Sequence, residues 1–88
     1  MPALSMFYGI IVYMFSEKGE RHHLPHIHCK YGEYEIVIAL DGQALEGTMP
    51  PSKMRLIEAW MELHRDELAA NWELLSNGEK HYPIQPLQ

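Results

Sequence analysis

Four of the six histidines of this 88-residue chain fall between His22 and His28, in the run His22-His23-Leu24-Pro25-His26-Ile27-His28-Cys29-Lys30-Tyr31. His26 and His28 stand two residues apart. If that stretch is a strand, both rings point to the same side. Two chemistries suit such a pair. Imidazoles two apart on a strand can hold Zn²⁺ or another divalent transition metal once a third ligand arrives, and His23 or His22 is close enough in the chain to supply it. The same rings can act as general acid and base without metal. Arg21 and Lys30 would then hold a phosphate, a set that suffices for transesterification of RNA at its 2′-hydroxyl. Against both stands a plainer reading, in which the histidines are a solvated polar sheet face, and binding without catalysis is the remaining alternative. The single cysteine, Cys29, alternates onto the opposite side and reads as a small buried apolar residue.

The elements that position these residues follow from pattern. Met6 to Phe15 is rich in β-branched and aromatic residues and reads as one strand, apolar on both sides and so in need of cover on both. Ser16 to Arg21 is a polar loop. Pro25 fits the start of a second strand, His26 to Tyr31. Gly32-Glu33 predicts a two-residue hairpin turn of type II′, and a third strand runs Tyr34 to Leu40. That turn fixes the register: Tyr31 faces Tyr34, Lys30 faces Glu35, Cys29 faces Ile36, His28 faces Val37 and Ile27 faces Ile38. Ile27, Cys29, Tyr31, Tyr34, Ile36, Ile38 and Leu40 then form the core face. His26, His28, Lys30, Glu35, Val37 and Ala39 form an open face, with Lys30 and Glu35 an opposite-charge pair.

Gln43 to Met49 is a candidate short edge strand. Pro51 reads as a helix start. Ile57, Trp60, Met61, His64, Leu68, Trp72 and Leu75 recur at helical spacing, and Asn77-Gly78 is a stop. A single helix there would be roughly 35 Å or longer, unless His64-Arg65-Asp66 breaks it. His64 lies on the apolar stripe, where a hydrogen-bonded core histidine is the commoner role. Both tryptophans read as core, and Met6, Met14, Met49, Met54 and Met61 as gap fillers. The tail from His81 to Leu87, with its two prolines, is expected to be extended and able to add to a sheet edge. The fold class expected is thus α+β: one domain over 1–88, a small antiparallel sheet of three to four strands around a central hairpin, packed against one long or broken C-terminal helix.

Composition bounds the function. A formal charge of −5 argues against direct, non-specific DNA binding, which depends on Lys and Arg neutralising phosphates. The longest apolar run is about half of a membrane span, and no basic segment precedes it, so neither a membrane anchor nor a signal peptide is expected. One cysteine fits a reducing cytoplasm. A chain of this size supplies a modest core, so a homodimer or a small protein partner is expected. The bare far side of the first strand points the same way and would place the histidines at or beside an interface.

The chain resembles the bacterial domain-of-unknown-function family 4160 along nearly its whole length. The likeness rests on Met6-Phe7-Tyr8-Gly9-Ile10, Pro25-His26-Ile27-His28, Tyr31-Gly32-Glu33-Tyr34-Glu35, Leu45-Glu46-Gly47 and Trp60. It continues through Leu63-His64-Arg65-Asp66-Glu67-Leu68, Asn71-Trp72-Glu73, Asn77-Gly78 and Ile84-Gln85-Pro86-Leu87. Leu24 departs from the second proline usual before Pro-His-x-His. The resemblance implies a small neighbouring gene and a toxin–antitoxin type pairing, with this chain a partner-binding protein or a toxin-like member acting on RNA. It carries no established activity and hence no catalytic residue. It does place His26, His28 and His64 all in motif positions, which favours a shared site against the register argument.

Overall fold

The computed structural model describes residues 3–15 and 24–88. Its described residues form five strands and two helices: β1 (Ser5–Phe7), β2 (Ile10–Tyr13), β3 (His26–Tyr31), β4 (Tyr34–Ala39), β5 (Ala44–Thr48), α1 (Pro51–Leu63) and α2 (Arg65–Ser76). The strands make one antiparallel sheet in sequence order. The fold is therefore α+β as expected, with one strand more than the sequence suggested.

The extra strand comes from the apolar run at the start. Phe7 pairs with Ile10 across a two-residue turn at Tyr8-Gly9, so the run is a hairpin and not one strand. Both turn residues have positive φ, 50° and 80°, the arrangement of a type I′ turn that matches the strands' twist. Glycine is needed at position 9 for a second reason: a Cβ there would lie 3.2 Å from the Tyr31 ring. The Lys53 ammonium lies over the same ring, 5.0 Å from its centroid.

The β3–β4 hairpin has the register read from the sequence at every pair, Tyr31–Tyr34 through Ile27–Ile38, and adds His26 opposite Ala39. β5 joins β4 as the short edge strand, with a bulge where Val37 faces Glu46 and Ile38 faces Ala44.

One sheet face carries Phe7, Ile10, Val12, Ile27, Cys29, Ile36 and Ile38, and these bury against Ile57, Trp60, Met61 and Leu68 of the helices. The Phe7 and Trp60 rings meet at 5.3 Å. Tyr34, expected in that core, is instead 46% exposed at the hairpin tip. Met6 is likewise no gap filler but 62% exposed, since it alternates onto the far face.

The helix breaks at His64, as the sequence allowed. α2 ends in a Schellman arrangement, with Gly78 N–H donating to Leu75 C=O and Glu79 N–H to Leu74 C=O. The tail then runs back as a strap. Both atoms of the buried Asn71 amide bond the Tyr82 backbone, Ile84 N–H donates to Leu4 C=O, and Trp60 Nε1–H donates to Gln85 C=O. Ile84 is buried in the core. The strap meets the sheet through Leu4, just before the β1 edge, and adds no strand.

Candidate functional site

His26 and His28 do share one side of β3, with ring centroids 5.1 Å apart and edge to face. Their surroundings differ. The sequence reading placed His26, Val37 and Ala39 on an open face, but all three are buried, His26 completely. Part of the cause is α2. After the break at His64 it crosses the end of the sheet where β2 finishes and β3 begins, and brings the Trp72 ring to 5.2 Å from His26. His26 Nδ1 lies 2.6 Å from Leu24 C=O. A carbonyl only accepts, so Nδ1 carries a proton, and in the neutral ring the lone pair sits on Nε2.

His28 is half-buried. Phe15 stacks on its ring at 4.3 Å, from the segment that follows β2. Tyr13, Phe15, His28, Lys30 and Glu35 line a shallow depression of about 320 Å³ on the far face of the sheet. Of the two histidines, His28 is thus the more exposed. Lys30 and Glu35 stand opposite each other in register, both exposed. Arg21, His22 and His23 lie outside the described residues.

His64 sits elsewhere in the described contacts. Its Nδ1 is 2.6 Å from Glu67 Oε1, and its ring lies 5.7 Å from that of Trp60. The partner Glu67, three residues on, was not singled out from the sequence, although spacing of three on a helix is the signal for it. Arg65 pairs with Glu62 beside this turn. Among the described residues no group of three His, Cys, Asp or Glu side chains comes close enough to hold a metal. Cys29 is buried on the core face, and burial pushes its thiol up to about 12, which leaves it protonated and unreactive near neutrality.

The model of the domain of unknown function DUF4160 matches residues 9–73, from the tip of the first hairpin to near the end of α2. The chain belongs to the DUF4160 family. No curated protein matches it, and no solved structure does. The DUF4160 match therefore covers β2 to β5, both histidines of β3, and Trp72, the ring that buries His26. Among the described residues of this DUF4160 chain, no helix is long and apolar enough to cross a membrane.

Proposed function

We propose that the protein acts by binding another protein, as one member of a toxin–antitoxin type pair, and that it docks through the far face of its sheet around His28. One observation carries this reading. The core face lies under α1 and α2, whereas the row Met6, Ile11, Lys30, Glu35 and Thr48 crosses all five strands on the other side with Met6, Lys30, Glu35 and Thr48 exposed. Large apolar side chains left in water on a small domain mark surfaces that partners cover. Tyr8 adds to the apolar end of the row from the adjoining hairpin tip.

Co-expression with the product of the adjacent small gene tests the reading. Wild type and a helix-surface control, Glu73→Lys, should co-elute with that product, and Ile11→Glu and Tyr13→Glu should not. Retention of the partner by both sheet-face variants would sink the proposal.

A second reading is favoured by the His26 geometry. Metal-binding histidines characteristically donate the ring N–H that faces away from the metal to a carbonyl or carboxylate, and the bond from His26 Nδ1 to Leu24 C=O has that form. His26 Nε2 and the His28 ring would be two ligands and His23 the third, for Zn²⁺ or a similar ion. Elemental analysis of untagged protein decides it. Near-stoichiometric metal that vanishes in His26→Ala/His28→Ala supports the reading, and metal-free wild type refutes it.

A further inference from the structure

The sheet has two edges, and they are built differently. β5 closes one side with a bulge against β4 and with Gly47 at φ +89°, distortions that turn an edge away from further pairing. β1 closes the other side with no bulge, no proline and no charge, and its pairing with β2 runs from Ser5–Val12 to Phe7–Ile10 without a shift. Because Tyr8-Gly9 is a two-residue turn, Phe7 and Ile10 are the pair that exchanges both hydrogen bonds. Alternation then turns the N–H and C=O of Met6 outward, away from β2. Among the described residues no turn, loop or strap group bonds to the Met6 backbone, and the residue is 62% exposed. The strap bonds β1's flank at Leu4 C=O and goes no further along the edge.

Charge decides what fits beside that edge. Residues 3–15 hold no Asp, Glu, Lys or Arg, and every such side chain falls from Glu17 onwards. Two copies of formal charge −5 repel over most of their surface, whereas an approach through β1 sets uncharged chain against uncharged chain. A two-fold axis normal to the sheet, beside Met6, makes the two β1 strands antiparallel. Met6 N–H of each copy then donates to the partner's Met6 C=O. Ser5 falls opposite the partner's Phe7 and Leu4 opposite the partner's Tyr8, since each pair is symmetric about Met6. The faces match as well. Met6 meets its counterpart on the far side, where it is exposed in the single chain, and the buried Ser5 and Phe7 adjoin on the core side. Tyr8, 55% exposed, gains a neighbouring chain at Leu4.

We infer that two copies of this chain pair edge to edge through β1, in a two-fold dimer that joins the five strands of each into one antiparallel sheet. The inference goes beyond the docking reading and does not rest on it, because β1 pairs in the plane of the sheet and the docking face lies above that plane. Closed two-fold contacts are the commonest way a chain pairs with itself. Strands of three residues exchange few bonds and bury little area, so the dissociation constant is on the order of 100 µM.

Sedimentation equilibrium up to about 1 mM tests this, a ceiling about tenfold above that constant. Wild type should dimerise. Met6→Lys sets two ammonium groups side by side at the axis and should weaken the dimer about tenfold or more. Met6→Pro removes the outward N–H and should do the same. Circular dichroism shows whether each variant is folded, and where Met6→Pro is not, Met6→Lys carries the comparison. The geometry has its own readout. Residues that exchange both bonds stand about 5.5 Å apart at Cα, within reach of a disulfide. Met6→Cys should therefore oxidise to a covalent dimer about tenfold faster than Thr48→Cys on β5, with no background from the buried Cys29. A wild type monomeric at about 1 mM, a Met6→Lys variant that dimerises as wild type does, or equal oxidation of the two cysteine variants overturns the inference. The docking reading is scored apart from it. A dimer whose capture of the neighbouring gene product survives Tyr13→Glu overturns that reading alone. A monomer that captures the product and loses it in Met6→Lys shows the edge holding a strand of another protein, and overturns the second copy as its occupant.

Discussion

Asn71→Leu asks how much of the fold the C-terminal strap supports. Asn71 is fully buried in α2, and its amide does two things at once: Nδ2 donates to Tyr82 C=O at 3.1 Å, and Oδ1 accepts from Tyr82 N–H at 2.9 Å. Leucine is close to asparagine in size, so the substitution removes both bonds with little change of shape. Each net hydrogen bond contributes about 1 kcal/mol, and a backbone group left buried and unpaired costs about 1–3 kcal/mol. Tyr82 is itself exposed at the side chain, so its backbone groups recover part of that from water. The expected loss is about 2 kcal/mol, which for a domain of this size lowers Tm by about 8–16 °C. Urea denaturation gives the free energy. Amide hydrogen exchange gives the location, because the Tyr82 N–H should lose protection and the Ile84 N–H, bonded to Leu4 C=O, should follow it. A loss below about 0.5 kcal/mol with the Tyr82 amide still protected would show that the strap is held without the Asn71 amide, by Ile84 burial and the bonds to Leu4 and Trp60, and the reasoning would be wrong.

Gly47→Ala should be far more harmful than its exposed position suggests. Gly47 has φ +89°, and a Cβ there would lie 2.1 Å from the Glu35 carbonyl oxygen on the paired strand. The left-handed backbone and the clash together should cost about 3 kcal/mol or more, read as a fall in urea midpoint; a change within about 0.5 kcal/mol of wild type would refute it. Cys29 should resist thiol reagents at pH 8 in the native protein and react at once in urea, and rapid native reaction would contradict its burial. The sign of its pH effect is fixed. The folded thiol is raised from 9.0 to about 12, so its contribution to stability is whole below pH 9 and is lost as pH climbs from 9 towards 12. Cys29→Ala should remove that part of the alkaline decline.

The central hairpin was legible because independent signals agreed there. The Gly32-Glu33 turn, the alternation of Ile27, Cys29, Ile36 and Ile38, and the facing charges of Lys30 and Glu35 all demand one register, and a slip of one residue would turn every side chain over. The first hairpin gave no such agreement. Its two strands are three and four residues long, and the turn between them places a tyrosine at φ 50°, a conformation uncommon for a bulky side chain. Gly9 inside a strand-like run was the one available sign. Helical spacing likewise located the stripe from Ile57 to Leu75 but carried no information on direction after His64, and direction is what decides which sheet residues α2 covers.

That direction is the reason the two histidines of one motif part company. Alternation along β3 makes them equivalent, since both point to the same side. α2 then brings Trp72 against the first of them and not the second, while Phe15 stacks on the second. Burial with Nδ1 fixed by the Leu24 carbonyl makes His26 a ring of settled tautomer and orientation, suited to supporting a neighbour or presenting one nitrogen. His28 is partly exposed beside Lys30, the more accessible ring of the two. Towards a protein partner the pair is therefore unequal, with the more exposed ring the one in reach and the buried ring part of the fold. It follows that, for a protein partner, His26→Ala should damage the fold first and His28→Ala the interaction first. If His28→Ala lowered stability as much as His26→Ala and left partner capture untouched, the division of roles would be refuted.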